Sequence, residues 1–278
     1  MPMRIVHSVA EFRALRPTLG HLAFVPTMGN LHAGHISLVQ AAREHTDKIA
    51  ASIFVNRLQF GPSEDFERYP RTLAEDAAQL AEAGVGVLFA PDENEMYPSP
   101  QSYHIEPATE QVSVLEGEFR AGHFRGVATV VMKLFQIVQP DIALFGKKDY
   151  QQLMVLRNMV SQFAMPIEVV GCETVRAQDG LALSSRNGYL STDERRRAPQ
   201  LNAELRRIRD AVRDGHRDFG GLQESAAERL DSAGWRTEYV RICRRADLQP
   251  SDATAKEARV VLAAARLGTT RLIDNLEI

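Results

Sequence analysis

Between residues 21 and 171 the chain alternates short runs that are apolar throughout with longer stretches of helical period. "HLAFVP" from His21 precedes helical spacing over 34–45, and "KIAASIFV" from Lys48 precedes 72–83. "VGVLFA", then 126–138, "DIALFG", then 149–163, and "IEVVG" continue the pattern. A strand with no polar side must be covered on both faces, and strands separated by helices run parallel. The pattern therefore predicts a Rossmann-like, doubly wound α/β sheet, which binds ligands outside the carboxyl ends of its strands where the topology reverses. Within it, Thr72-Leu-Ala-Glu75 reads as a capping box opening one crossover helix, with Gly84 as its stop.

After "IEVVGCETVRAQDG" the texture changes. Ser191-x-x-Glu194 caps a charged helix, a second helix follows near 220–232, and "TEYVRI" and "RVVLAAARL" read as strands. This predicts two domains, residues 1–172 and a smaller α+β domain over 173–278, and 44% hydrophobic residues in 278 are enough to build both cores. A formal net charge of −3 offers no basic surface for nucleic acid or membrane. Cys172 and Cys243 lie far apart without metal-ligand spacing, so both are expected to be reduced thiols. The N-terminus lacks a hydrophobic signal core, and no apolar run approaches the roughly 20 residues of a membrane span. The cytoplasm is the expected compartment.

Three stretches carry candidate chemistry. In "PTMGNLHAGHISL", His32 and His35 sit where the first of these strands gives way to a helix, a place whose backbone N–H groups and dipole favour an anion. Gly34 lets a phosphate approach the backbone, and two imidazoles on one helical turn offer donors to it. By spacing alone the pair reads equally as two satisfied histidines at a helix start. In "DIALFGKKDYQQL", Lys147 and Lys148 suit phosphate as mobile point charges and Asp149 suits a helix cap, although a solvated lysine pair fits too. In "DGLALSSRNGYLS", Ser184, Ser185 and Arg186 form an anion trap of hydroxyls and a guanidinium, or simply a turn. Arg120, His123 and Arg125 stand in a Gly-containing loop before a helix. All lie at predicted strand ends or in loops of one sheet, and their joint occurrence suits a polyphosphate. Neither a P-loop nor the glycine fingerprint of a dinucleotide-binding oxidoreductase is present.

Taken together, "FVPTMGNLHAGH", "SIFVNRLQFGPSEDFERYPRT", "GHFRGVATVVMKLFQIVQPDIALFGKKDYQQL" and "DGLALSSRNGYL" resemble the pantothenate synthetase (pantoate–β-alanine ligase) family of the HxGH class I nucleotidyltransferases. The likeness runs almost continuously over roughly residues 22–192 and is looser beyond. It implies a ligase using ATP with Mg²⁺, pantoate and β-alanine, working through pantoyl adenylate, as a homodimer. It further implies that His32 and His35 hold the ATP phosphates, that Met28 lines the site, and that Lys148 binds phosphate. Ser184, Ser185 and Arg186 match a flexible loop closing over the triphosphate, and the C-terminal domain would cap the site. Gln59 and Gln152 would bind pantoate with Asn56 nearby, Gly146, Asp149 and Val175 would contact adenosine, and Asp76 would assist Mg²⁺.

Four positions depart from the family pattern: Arg57 and Ala121 replace prolines, and Lys147 and Ala177 replace glutamates. Two rivals remain open at this point. One is another nucleotidyltransferase of the superfamily, whose phosphorylated acceptor would call for Arg or Lys where Gln59 and Gln152 offer neutral hydrogen bonds. The other is a non-catalytic nucleotide-binding regulator on the same fold.

Overall fold

The structure, a computed structural model, describes residues 2–62 and 64–278. It divides into two compact units: residues 1–147 with 155–173, and residues 148–154 with 174–278. The stretch 148–154, which the sequence assigns to the first domain, thus groups with the second unit.

The first unit is built on β1 (Arg4–Val6), β2 (Ala23–Thr27), β3 (Ile49–Ile53), β4 (Val87–Phe89), β5 (Ile142–Gly146) and β6 (Glu168–Cys172). They form one sheet in the order β1-β4-β3-β2-β5-β6, every pair parallel. From β2 the chain proceeds to β3 on one side, whereas β5 lies on the other, so the topology reverses between β2 and β5. Both faces are covered, which is why the strands lack a polar side. Ala23, Val25, Ala51, Leu88 and Leu144 pack with Leu38, Val39 and Leu80 of the helices Ala33–Ala42 and Leu73–Ala83. Their neighbours in sequence point the other way. Phe89 meets Phe12 of the helix Val9–Leu15 edge-on at 5.6 Å between centroids, and Phe145 meets Phe135 of the helix His123–Val138 at 6.4 Å.

In the second unit, β7 (Trp235–Arg244), β8 (Arg259–Leu267) and β9 (Thr270–Glu277) form an antiparallel sheet in that order. The helices Gln200–Arg213 and Phe219–Ser232 bury Leu205, Ile208 and Leu230 with Val240, Val261 and Ala263 of this sheet.

One cap differs from the sequence reading. Ser191 and Glu194 form their capping box, and Gly84 ends its helix at φ 90°. Thr72 makes no side-chain cap bond; its hydroxyl donates instead to Asp76 Oδ2 at 3.0 Å. The same carboxylate accepts from the loop after β2.

Candidate active site

The loop from β2 to the next helix is held from behind. Gly29 and Asn30 both adopt positive φ, 82° and 50°, so Met28–Leu31 turns sharply. Asp76, 1% exposed, accepts the backbone N–H of Asn30 at Oδ2 and that of Leu31 at Oδ1, each at 2.8 Å. A Cβ on Gly29 would stand 3.0 Å from Asp76 Oδ2 and 3.1 Å from Ile53 Cγ2, so a side chain there would crowd this support as well as strain the positive φ. Thr27 completes the support, accepting from Gly29 N at 3.2 Å and donating to the Ser52 carbonyl at 2.7 Å. Asp76, which the resemblance offers as a helper of Mg²⁺, uses its two oxygens to take three donors and hold this loop.

The loop delivers two histidines that cap their own helix. His32 is the N-cap residue, with φ −141° and ψ 174°, and its Nδ1 accepts from Gly34 N at 3.1 Å. His35 answers as in a capping box, its Nδ1 accepting from His32 N at 3.3 Å. The ring centroids are 4.2 Å apart. Because each Nδ1 accepts a backbone N–H, the proton of each neutral ring lies on Nε2. The pair therefore presents two Nε2–H donors at the positive end of a helix, the combination an anion calls for.

Beyond β3, Asn56 caps the short turn Arg57–Gln59 by accepting from Leu58 N at 3.4 Å. Asn56, 1% exposed, donates to Gln59 Oε1 at 3.0 Å and to the Gly126 carbonyl at 3.2 Å, and accepts from Tyr97 Oη at 2.7 Å. Gln59 Nε2 lies 3.3 Å from Met28 Sδ. The structure thus brings Met28, Asn56 and Gln59 together as neutral polar and soft groups. Burial, with the nearby Glu93 charge, raises the Tyr97 phenol well above its ordinary range, so it stays a neutral donor. Arg57 turns to acids: its Nε is 3.0 Å from Glu93 and its Nη1 3.4 Å from Glu67, with the guanidinium 4.0 Å over the Phe66 ring. Glu64 pairs with Arg120.

Gly146 ends β5, and it and Lys147 belong to the first unit, where Lys147 pairs with Glu173. The remaining candidates belong to the second unit. Lys148, with a side chain 20% exposed, lies 4.0 Å from Asp149, and its carbonyl accepts from Asn275 Nδ2 at 2.9 Å. Gln152 follows half-buried on the first turn of the helix Tyr150–Gln162. Val175 accepts from Leu183 N at 3.0 Å across a small hairpin whose Arg176 pairs with Asp274 at 2.7 and 2.9 Å. That hairpin leads into Ser184, whose hydroxyl accepts from Arg186 N at 3.3 Å and so caps the turn Ser185–Tyr189. Ser184, Ser185 and Arg186 are all half-buried.

Sequence reasoning left two supporting networks unseen. Asp76, with Thr27, acts behind the histidine loop, and Glu64, Arg120 and His123 act behind Gln59; the bonds of Asp76 to Leu31, of Arg120 to Glu64 and of His123 to Gln59 form only through tertiary folding. Among the described residues, no group of three or more His, Cys, Asp or Glu is placed to hold a metal ion, and no helix is long and apolar enough to cross a membrane.

The sequence profile of the pantoate-beta-alanine ligase family matches residues 4–277. The structure is similar to that of pantothenate synthetase from Thermus thermophilus, at 47% identity and a TM-score of 0.94 over 99% of each chain. It is also similar to pantoate-beta-alanine ligase from Francisella tularensis complexed with beta-gamma ATP and beta-alanine, at 35% identity and a TM-score of 0.85, covering 99% of this chain and 97% of that one.

Proposed function

The chain belongs to the pantoate–β-alanine ligase family, and from that premise we propose how its own residues divide the work. It is an ATP-dependent ligase that joins pantoate to β-alanine in two steps. The pantoate carboxylate attacks the α-phosphorus of ATP and pyrophosphate leaves, giving pantoyl adenylate. The β-alanine amine then attacks the acyl carbon, AMP leaves with the acyl-bond electrons, the amine gives up a proton, and pantothenate remains.

Attack at phosphorus asks little covalent chemistry of a protein and much alignment and charge stabilisation. His32 and His35 meet that need, with Nε2–H donors fixed by their own backbone bonds; this fixed tautomer pair is the observation that carries the assignment. Lys148, Ser184, Ser185 and Arg186 bind phosphate oxygens, and Gly146, Asp149 and Val175 contact adenosine. Gln59 and Gln152, with Asn56 and Met28, take pantoate. The reading of Gln59 is supported by its neutral surroundings, which suit hydroxyls and would leave a second phosphate uncompensated. Mg²⁺ prefers phosphate oxygens with one or two carboxylates; it would travel on the ATP phosphates and supply charge neutralisation as pyrophosphate departs. We further propose a cytoplasmic homodimer, of about 62 kDa by light scattering against 31.0 kDa for the chain.

Incubation with ATP, Mg²⁺, pantoate and β-alanine followed by mass spectrometry should yield pantothenate, AMP and pyrophosphate. In single-turnover assays, His32→Ala and His35→Ala should each slow adenylation by about 10²-fold, the magnitude of losing a donor aimed at developing charge. Near wild-type adenylation in both variants would remove the histidines from this role.

A further inference from the structure

Behind the Gln59 turn lies a chain of buried and partly buried polar groups that the reaction itself does not use. His123 opens the helix His123–Val138 and is 9% exposed. Its Nδ1 lies 2.8 Å from the Gln59 carbonyl oxygen and its Nε2 3.0 Å from Arg120 Nη1. Arginine has no acceptor, so Nε2 must offer the lone pair and the ring proton must sit on Nδ1, donated to Gln59. One tautomer alone satisfies both neighbours. A second ring proton would face a guanidinium N–H, so the arrangement also demands a neutral ring. Burial first and the Arg120 charge second pull the His123 imidazole down to about 4, which agrees.

Arg120 is itself fixed. Its Nε donates to Glu64 Oε1 at 2.6 Å and its Nη2 to Glu64 Oε2 at 2.9 Å, a bidentate pair. Glu64 Oε2 also accepts from Gly61 N at 3.2 Å, returning the chain of bonds to the segment where it ends. From the other side the turn meets helix backbone: a Cβ on Gly126 would stand 2.1 Å from the Leu58 carbonyl oxygen. The segment from Asn56 to Gly61 is thus clamped between a close backbone contact and a charged network.

We infer that Glu64, Arg120 and His123 are positioning residues that lock the Gln59 main chain and so set how its side chain meets the hydroxy-acid substrate, an inference resting on the assignment of Gln59 to pantoate. With both ring nitrogens engaged, His123 is excluded as a general acid or base. A partly buried ion pair is a costly way merely to fill space, since apolar residues of similar volume do so as well or better. The network ends on the carbonyl of the very residue whose side chain meets Met28 and Asn56.

Steady-state kinetics with each substrate varied separates positioning from bulk stability. His123→Phe, which keeps ring volume and removes both bonds, should raise the pantoate KM by about tenfold, with the ATP KM and the kcat at saturating pantoate within about threefold of wild type. His123→Asn, whose amide can still donate to the Gln59 carbonyl, should recover most of that loss. Added to Gln59→Ala, His123→Phe should raise the pantoate KM little further, because both act through one side chain. An unchanged pantoate KM in His123→Phe, beside a raised one in Gln59→Ala, would overturn the relay and leave the Gln59 assignment standing. Equal rises in both KM values without rescue by Asn would reduce the network to a structural role and overturn it too. An unchanged pantoate KM in Gln59→Ala would instead sink the Gln59 assignment, and the relay with it. Should His123→Phe not fold, Arg120→Gln must raise the pantoate KM by about threefold or more, and no change there refutes the inference.

Discussion

Replacing Asp76 by Asn tests whether the histidine loop is positioned by a buried carboxylate or served by a metal ligand. The two residues are nearly isosteric, but an amide has one acceptor oxygen where the carboxylate has two. In the protein, Oδ1 takes Leu31 N–H and Oδ2 takes Asn30 N–H and the Thr72 hydroxyl, so either orientation of the amide turns its NH₂ toward a backbone N–H. Thr72 can rotate to accept; a backbone amide cannot. One N–H left without a partner costs about 1–3 kcal/mol, and local opening at Asn30 or Leu31 should rise by about 5- to 150-fold. Hydrogen exchange over the peptide covering 28–35 reads this directly. The same loop carries Met28 and delivers His32, and a displacement of about 1 Å near reacting groups costs about 10²-fold in rate, so single-turnover adenylation should fall by that order. A tenfold increase in Mg²⁺ separates the alternatives: a positioning carboxylate predicts no rescue, whereas a metal ligand predicts substantial recovery. Recovery of adenylation by Mg²⁺, with unchanged exchange at Asn30 and Leu31, would refute the argument.

Arg57→Pro should alter the pantoate KM by less than about threefold, whereas Gln59→Ala should raise it by about tenfold or more in the same steady-state assay. Arg57 opens a helical turn and follows an extended Asn56 (φ −86°, ψ 109°), both compatible with proline, and its side chain is engaged by Glu93 and Glu67; a tenfold loss would mean that Arg57 contacts substrate. Lys148→Ala, supplied with synthetic pantoyl adenylate, should still form pantothenate at an appreciable rate, because pyrophosphate has left before the amine attacks; equal loss in both half-reactions would contradict this. Folding stability should fall with pH below His123's ordinary value of 6.5, because the unfolded chain then takes up a proton that the folded ring resists down to about 4. The slope is about 1.4 kcal/mol per pH unit, about 3 kcal/mol in all, and chemical denaturation of His123→Phe should lack it; parallel profiles would show that the folded ring is not neutral.

The parallel sheet was legible because burial on both faces leaves a mark no loop imitates: Leu88 and Phe89, or Leu144 and Phe145, face opposite helical layers and are both apolar. β1 has only Arg4–Val6 to show, too few residues for any period. β9 was hidden for a different reason. Its Asp274 and Asn275 are buried polar residues, satisfied by Arg176, Asn202 and the Lys148 carbonyl, so its hydrophobic pattern is interrupted where its tertiary bonds are densest. The histidine pair could be suspected from spacing, but its mutual capping could not, since histidine is not a usual cap residue and the tautomers follow only from backbone geometry. The loop-holding bonds of Asp76 were hidden because its donors lie 45 and 46 positions away in sequence, and His123 looked like a loop residue because Gln59 lies 64 positions away.

The departures from the family pattern lose much of their force once their neighbours are known. A lysine at position 147 seems to add positive charge beside Lys148, yet β5 and β6 run in register with Gly146 opposite Cys172, which makes Lys147 and Glu173 the next facing residues. Their side chains pair, and the extra charge is met one strand away, within the same unit. Glu173 is 83% exposed, so the pair contributes little to stability. Arg57 follows the same logic, its guanidinium divided between Glu93, Glu67 and the Phe66 ring. Ala177 packs against the core of the second unit, and Ala121 stands exposed ahead of the His123 helix, where a missing proline costs only some rigidity. Arg57, Lys147 and Ala177 thus each meet residues outside the set assigned to the reaction.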